Sequence, residues 1–182
     1  MEKVILNKKI GVLLTDTIYG IVGQALDKDV VERIYKVKKR NPKKPLIVLI
    51  SSFDDLSNIF DIKLTNNQIK ILNEFWPGKV SVILPCTKYE HLGRGTNSIA
   101  FRLPSNKSLI ELVKKTGPIV ATSVNKEGDV PAKNIEEAKK YFGNEMDFYI
   151  DSGEAKSEPS LLINLKSEDE VEILRGKICL KD

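Results

Sequence analysis

The chain has 182 residues, of which 41% are hydrophobic and 30% charged, and its net charge is +4. These values are typical of a globular protein, and we predict one domain over residues 1–182 without a second C-terminal domain. No apolar run reaches the roughly 20 residues of a membrane-spanning helix, and the N-terminus has no signal-peptide pattern, which predicts a cytoplasmic location. Two cysteines and one histidine disfavour a structural zinc site, so no metal-binding residues are predicted.

Buried strands alternate with amphipathic helices in the hydrophobic pattern up to residue 142. Strands are predicted over residues 9–15, 45–51, 79–85, 97–104 and 118–123. Helices are predicted over 28–39 and 106–116, more weakly from Ser52, and also after Thr65 and from Asn134 to Phe142. Their capping signals are Asp27, the Thr65/Gln68 pair and the Asn134/Glu137 pair.

The rest of the chain is β-rich. Residues 146–151, 160–165 and 170–175 all have strand-like patterns. Helices alternating with buried strands, followed by further strands, predict an α/β fold with a mixed β-sheet flanked by helices.

The residue types that most often carry acid–base or nucleophilic chemistry are scarce. His91 lies in the polar segment "TKYEHLGRGTNS", without a nucleophile-elbow motif nearby, and is interpreted as a solvated loop residue. Cys86 and Cys179 lie beside apolar segments and are interpreted as partly buried hydrophobic residues. Charge stabilisation and substrate positioning are therefore the favoured sources of any catalysis.

Four polar stretches adjoin predicted strands, where open α/β sheets collect ligands. They are "TDTIYG" (15–20), the basic run 36–44, "ATSVN" (121–125) and "LRGK" (174–177). Each stretch by itself also fits a turn, a loop cap or a solvated helix end. Together they offer arginine forks, lysine charges and small hydroxyl residues, which suit a polyanionic ligand such as a nucleotide triphosphate.

These stretches resemble the signature strings of the YrdC-like family, the threonylcarbamoyl-AMP synthases. The similar strings, in family order, are "LTDTIYGI", Lys38-Lys39-Arg40 with "PLIVLI", "FWPGKVSVIL", "FRLP", "PIVATSVN", "PSLLIN" and "ILRGK". The chain departs from the family pattern at a few positions, which include Leu14, Lys79, Val124, Glu127 and Leu161.

The resemblance implies a twisted mixed β-sheet around a deep basic cavity. It implies an L-threonylcarbamoyladenylate synthase, a nucleotidyltransferase that uses ATP, L-threonine and bicarbonate or CO₂ and releases pyrophosphate. The product would pass to a separate transferase that forms N6-threonylcarbamoyladenosine (t6A) in tRNA. Mg²⁺ is expected on the leaving pyrophosphate, without a dedicated protein cage.

The resemblance and the residue types together give a set of expected site residues. The expected catalytic residues are Lys38, Arg40, Ser123 and Asn125. The expected ATP-binding residues are Arg40, Lys44, Ser81, Ser123 and Arg175. The residues expected to bind L-threonine are Thr17, Tyr19 and Ser160.

Two alternatives remain open from the sequence. A basic concave surface also fits a module that binds double-stranded RNA or tRNA without catalysis, and weak RNA binding is compatible with either function. A second enzyme hypothesis is a carbamoyl-adenylate former acting on another acceptor, as in the hydrogenase-maturation proteins that contain a related domain. Those proteins are much longer chains with additional zinc and acylphosphatase parts.

Overall fold

The computed structural model describes residues 2–166 and 170–176, which form one nine-stranded sheet with helices on both faces. The helices are α1 Glu2–Leu6, α2 Lys28–Lys38, α3 Asp54–Asn58, α4 Asn66–Phe75, α5 Glu90–Gly93, α6 Lys107–Thr116 and α7 Ile135–Phe142. The strands are β1 Gly11–Leu14, β2 Tyr19–Gln24, β3 Ile47–Leu49, β4 Val80–Pro85, β5 Ser98–Arg102, β6 Ile119–Ser123, β7 Phe148–Tyr149, β8 Leu161–Leu165 and β9 Val171–Arg175.

The sheet is mixed, as the sequence predicts. Its strand order is β7-β1-β2-β6-β3-β5-β4-β8-β9. The pairs β1–β7, β3–β5 and β4–β8 are parallel, and the other five neighbouring pairs are antiparallel. The predicted α/β class with a mixed sheet flanked by helices is confirmed.

Hydrophobic side chains fill both faces of the sheet because side chains alternate along each strand. On β1, Val12 belongs to the larger core cluster and Leu13 to the smaller one on the opposite face. The smaller cluster is closed by α1 and α6, which contribute Ile5 and Leu112. Within the described residues, no helix is long and apolar enough to cross a membrane.

The sequence pattern did not predict strand β2, whose first two residues lie in the polar stretch 15–20. Glycines at 20 and 23 weaken the strand pattern, but the packing requires at least the second one. A Cβ atom on Gly23 would lie 2.5 Å from Val30 Cγ1 on α2, so helix and sheet could not approach as closely. Tertiary packing therefore outweighs the low strand propensity of glycine here.

The three predicted capping signals are confirmed by their hydrogen bonds, whereas the helix expected from Ser52 begins at Asp54 without a side-chain cap. Asp27 Oδ1 accepts from the backbone N–H of Asp29, and Asn134 Oδ1 accepts from that of Glu137. Thr65 Oγ1 accepts from the N–H of Gln68 at 3.3 Å, and Gln68 Oε1 accepts from the N–H of Thr65 at 3.0 Å. This reciprocal pair is a complete capping box.

The structure contradicts the prediction for His91 and agrees with the one for Cys86. The prediction of a solvated loop for His91 is wrong, because it lies on α5, partly buried, with Nε2 2.9 Å from Ala25 O. The short helix was missed because its segment is too polar to show a helical pattern. Cys86 is free and buried, as expected, whereas Cys179 lies outside the described residues.

The capping box predicts the effect of a substitution at Thr65. Thr65→Ala should lower the free energy of unfolding by about 1 kcal/mol, because the N–H of Gln68 loses its acceptor. Thr87→Ala, in an exposed coil, is the control and should change it by less than about 0.5 kcal/mol. Urea denaturation followed by circular dichroism measures both, and equal losses would contradict the capping role.

Candidate functional site

A cavity of about 310 Å³ lies where the β1–β2 turn, the α2–β3 loop, the end of β6 and the β8–β9 edge meet. Its lining contains three arginines, Arg40, Arg102 and Arg175. Its polar lining residues without charge are Thr15, Thr17, Tyr19, Ser98, Thr122, Ser123 and Ser160. Among the described residues, no carboxylate lines this cavity.

Arg102 ends β5 and is the most deeply buried of the three arginines, with 3% of its side chain exposed. Its Nη2 atom lies 3.0 Å from Oδ1 of Asp16, whose side chain is 2% exposed. Burial and the charge of Arg175 lower the pKa of Arg102, while the Asp16 carboxylate acts in the opposite direction. Arg102 Nε is buried without a protein partner. Asp16 therefore offsets only part of the cost of burying this charge.

Arg175 ends β9 and is held by the segment that precedes β8. Its Nε and Nη2 donate to the carbonyl of Ser160 at 3.2 and 3.1 Å, and Nη2 also lies 3.2 Å from Ser160 Oγ. Ser160 Oγ is 2.9 Å from the buried Ser81 Oγ. Partial burial, and then the charge of Arg40, lower the pKa of Arg175.

Arg40 lies in the loop after α2. Its Nε donates to the carbonyl of Lys44 at 3.0 Å, and its Nη2 donates to that of Pro45 at 3.0 Å. The guanidinium thus stiffens the loop that carries it. The remaining donors of the fork are available to a ligand, since Arg40 lines the cavity.

Lys38 lies behind the end of β6. The residue is 3% exposed, and its amine donates to the carbonyl of Ser123, to that of Asn125 at 2.8 Å, and to Asn125 Oδ1 at 3.4 Å. Ser123 Oγ donates to the same Asn125 Oδ1 at 2.6 Å. Burial, followed by the charge of Arg40, lowers the pKa of Lys38 to about 7. Lys38 thus clamps the chain that places Ser123 in the cavity wall.

The β1–β2 turn brings Thr17 and Tyr19 to the cavity. Thr17 Oγ1 lies 3.0 Å from Thr15 Oγ1, and the turn closes with a 3.1 Å bond from Thr15 N to Ile18 O. The Tyr19 hydroxyl donates to Gly153 O at 2.7 Å and accepts from Ser152 N at 3.0 Å. Tyr19 thus anchors the segment leading to β8, and the residue is fully buried where it borders the cavity.

The basic run separates into two groups. Lys38 is buried and Arg40 lines the cavity, whereas Lys36, Lys39, Lys43 and Lys44 are exposed. The Lys44 amine forms an ion pair with Glu127. The helical phase of α2 explains why Lys38 is buried and Lys36 exposed, because Lys38 shares the inward face of Ile34 and Tyr35.

The structure brings together six of the ten predicted site residues in the cavity lining: Thr17, Tyr19, Arg40, Ser123, Ser160 and Arg175. The other four contact this group from behind or beside it: Lys38, Lys44, Ser81 and Asn125. Arg102 was missed, although it lies in the quoted "FRLP" string. An arginine at the last position of a buried strand is the signal that could have identified it.

A metal centre built from protein ligands has no support in the described part of the chain. Residues 2–166 and 170–176 contain no group of three or more histidine, cysteine, aspartate or glutamate side chains that could hold an ion. Asp16, which lies between the lining residues Thr15 and Thr17 in the chain, is already paired with Arg102. Mg²⁺ therefore has no protein cage here to which a catalytic step can be assigned.

Comparison with curated proteins identifies relatives across most of the chain. The chain is 31% identical over 180 residues to a putative threonylcarbamoyl-AMP synthase of Methanocaldococcus jannaschii, covering 98% of this chain and 84% of that protein. It is also 31% identical over 139 residues to the threonylcarbamoyl-AMP synthase of Hahella chejuensis, covering 75% of each chain.

Solved structures share the fold. A Pyrococcus abyssi Sua5 structure complexed with L-threonine superposes with a TM-score of 0.87 at 27% identity, over 96% of this chain. The chain spans about half, 52%, of that Sua5 protein. Escherichia coli YciO superposes with a TM-score of 0.84 at 23% identity, over 96% of this chain and 85% of that one.

The family model confirms the resemblance carried by the sequence strings. The Sua5/YciO/YrdC model, which is described as "Telomere recombination", matches residues 3–176. The match includes the β1–β2 turn, the basic run, the end of β6 and β9, and thus all parts of the cavity wall. The chain belongs to the Sua5/YciO/YrdC family.

Proposed function

We propose that the chain is an L-threonylcarbamoyladenylate synthase, which converts ATP, L-threonine and bicarbonate or CO₂ to threonylcarbamoyl-AMP and pyrophosphate. The observation that carries the proposal is the convergence of Arg40, Arg102 and Arg175 on one cavity beside threonine and serine hydroxyls. The names of the curated relatives, and the L-threonine complex of the Sua5 structure, support the same substrates.

The chemistry requires two bond-forming steps between anionic partners. The free amine of threonine attacks the one-carbon electrophile and a C–N bond forms. With CO₂ the resulting carbamate loses a proton; with bicarbonate a C–O bond breaks and water leaves. A carbamate oxygen then attacks the α-phosphorus, and the bond to the leaving pyrophosphate breaks. Repulsion between carbamate and triphosphate is the main obstacle, so preorganised positive charge is the most valuable contribution of the protein.

We assign the triphosphate to the Arg40 side of the cavity. Arg40 and Arg175 supply planar donor forks for phosphate oxygens, and the Ser123 hydroxyl lies in the same wall. Lys44 adds a mobile charge at the edge of this wall. Ser81 acts indirectly, because its hydroxyl supports Ser160 beside Arg175.

We assign L-threonine to the β1–β2 side. Thr17 offers a hydroxyl from the turn, Ser160 offers one from the segment before β8, and Tyr19 shapes this part of the lining. Arg102 supplies the positive charge for the threonine carboxylate, because Asp16, which precedes Thr17, holds this guanidinium at the same turn. The substrate hydroxyl would thus meet polar groups that are costly to leave unpaired.

Lys38 and Asn125 act through the Ser123 loop. The Lys38 amine bonds to the carbonyls of Ser123 and Asn125 and is buried outside the cavity lining. We therefore assign it the task of fixing the loop and adding positive potential, rather than direct contact with substrate. Asn125 Oδ1 orients the Ser123 hydroxyl.

Mg²⁺ and the fate of the product complete the proposal. Mg²⁺ enters as part of the nucleotide substrate, bound to phosphate oxygens, as is usual for this ion. The product is a reactive mixed anhydride, so a separate transferase that delivers the threonylcarbamoyl group to tRNA adenosine would have to consume it promptly.

The first prediction concerns amino-acid selectivity. With ATP and bicarbonate present, L-threonine should support pyrophosphate release, L-serine should do so more weakly, and L-valine should be at least about 100-fold poorer in kcat/KM. Valine has nearly the shape of threonine but leaves the site hydroxyls unpaired. A coupled pyrophosphate assay measures all three amino acids.

Salt dependence separates this function from RNA binding. Pyrophosphate release should fall only modestly between low and physiological salt, whereas binding to RNA phosphates would fall steeply. Equal release with valine, or tight salt-sensitive RNA binding without any amino-acid-dependent release, would favour the RNA-binding module instead.

The second prediction tests the cavity arginines. Arg40→Ala and Arg175→Ala should each lower kcat/KM for ATP about 10- to 100-fold, because each removes charge-assisted hydrogen bonds to phosphate. Arg33→Ala, which removes a surface arginine paired with Asp147, is the matched control and should retain activity. Near-normal turnover of both cavity variants would reject the assigned triphosphate site.

The third prediction concerns the pH dependence of stability. The pKa of Lys38 is about 7 in the folded protein and that of an ordinary lysine is 10.5, so between these values the unfolded chain binds more protons. The free energy of unfolding of the wild type should therefore rise with pH across this window, relative to that of Lys38→Met. Lys36→Met, on an exposed side chain, should follow the wild type. Parallel curves for wild type and Lys38→Met would contradict the lowered pKa.

A further inference from the structure

Glu127 is a carboxylate set among the basic residues of the proposed triphosphate wall. Its Oε2 accepts from the backbone N–H of Asn41 at 2.9 Å, and its Oε1 accepts from the Lys44 amine. The hydrogen bonds from Lys44 and Asn41 hold the pKa of Glu127 below its usual value, and the charges of Lys44 and Arg40 act in the same direction. The carboxylate is therefore ionised at neutral pH. It accepts from the Asn41 N–H and the Lys44 amine, two donors that could otherwise bind an anionic ligand.

Two loops meet through this carboxylate. One is the α2–β3 loop, in which Asn41 follows the cavity-lining Arg40. The other follows β6 and leads through Glu127 to Pro131, which also lines the cavity. The contacts of Glu127 thus join two sides of the cavity wall at its exposed edge, since the Glu127 and Lys44 side chains are 37% and 58% exposed.

A ligand can readily displace Glu127 from Lys44, in contrast to the buried pair of Asp16 and Arg102. An exposed ion pair contributes little stability, because water screens it and two flexible side chains must be ordered. Phosphate oxygens can accept from the same ammonium and the same backbone N–H, and they carry more charge than one carboxylate. A bound polyphosphate would therefore displace Glu127 rather than coexist with it.

We propose that Glu127 is a built-in competitor for the triphosphate, which occupies Lys44 and the Asn41 N–H in the free protein and must give way when the β- and γ-phosphates arrive. The proposal rests on the triphosphate site assigned above. Glu127 thereby weakens binding of polyphosphates selectively, since a nucleoside monophosphate does not extend to Lys44. It sets the discrimination between ATP and AMP at this edge of the cavity.

Calorimetric titration of three proteins with three ligands tests this. The proteins are wild type, Glu127→Gln and Glu74→Gln; the last is a matched loss of negative charge at an exposed position of α4, a helix with no residue in the cavity lining. The ligands are inorganic tripolyphosphate, ATP and AMP at one fixed salt concentration. Glu127→Gln should bind tripolyphosphate and ATP about two- to fivefold more tightly and AMP unchanged, while Glu74→Gln should match the wild type.

A double-mutant cycle identifies Lys44 as the contested group. The gain in polyphosphate affinity from Glu127→Gln should be smaller in a Lys44→Met background, because the amine for which Glu127 and phosphate compete is then absent. Unchanged or weaker polyphosphate affinity in Glu127→Gln would overturn the proposal, as would an equal gain for AMP or for Glu74→Gln. An undiminished gain in the Lys44→Met background would overturn it as well.

The proposal and the proposed function can fail separately. Selective tightening for tripolyphosphate without any threonine-dependent pyrophosphate release would leave the competitor role standing and reject the synthase. Threonine-dependent pyrophosphate release with no selective effect of Glu127→Gln would support the synthase and reject the competitor role. A wild-type protein that binds none of the three ligands would reject both.

Discussion

Mutual repulsion of three guanidinium groups is the constraint on which this site depends. Arg40, Arg102 and Arg175 line one cavity. Burial lowers the pKa of Arg175 and of Arg102, and the charge of Arg40 adds to this effect at Arg175, as the charge of Arg175 does at Arg102. The protein holds them with three different devices. Carbonyl oxygens of a loop hold Arg40, a buried carboxylate holds Arg102, and a serine holds Arg175. Such a site is poised for an anion, because only an anion relieves the remaining repulsion.

The sheet topology brings these devices into one place. Strand β3 lies between β6 and β5, and the register pairs Leu49 with Arg102. On the far side of β5, the register pairs Ser81 of β4 with Leu162 of β8, and Leu162 with Arg175 of β9. Ser160, which holds Arg175, directly precedes β8. The β1–β2 turn reaches the cavity from the other half of the sheet, through the pairing of Gly20 with Ser123. Residues from both halves of one continuous sheet therefore contribute to the cavity wall.

The two carboxylates that pair with basic residues of this site differ in how readily a ligand can replace their contacts. Asp16 is buried with Arg102, and loss of either partner would leave an uncompensated charge in the core, which is severely destabilising. Glu127 is exposed and pairs with a flexible lysine, so its contacts can be exchanged for those of a ligand. The first therefore organises the site at all times, and the second regulates access to it. Burial, rather than residue type, separates the two tasks.

Local patterns were sufficient for the elements that local physics controls. The capping box at Thr65 and the strand runs that end in polar residues follow from hydrogen-bonding capacity and periodicity, and the resemblance of the strings supplied the family. Strand β2 and helix α5 could not be predicted, since close packing over Gly23 and docking of His91 on Ala25 outweigh their weak propensities. Only the tertiary structure could show that Arg40 lines the cavity and that Lys44 pairs with Glu127. It also brought Asp16 to Arg102, because such pairings join residues far apart in the chain, whose distance no local pattern encodes.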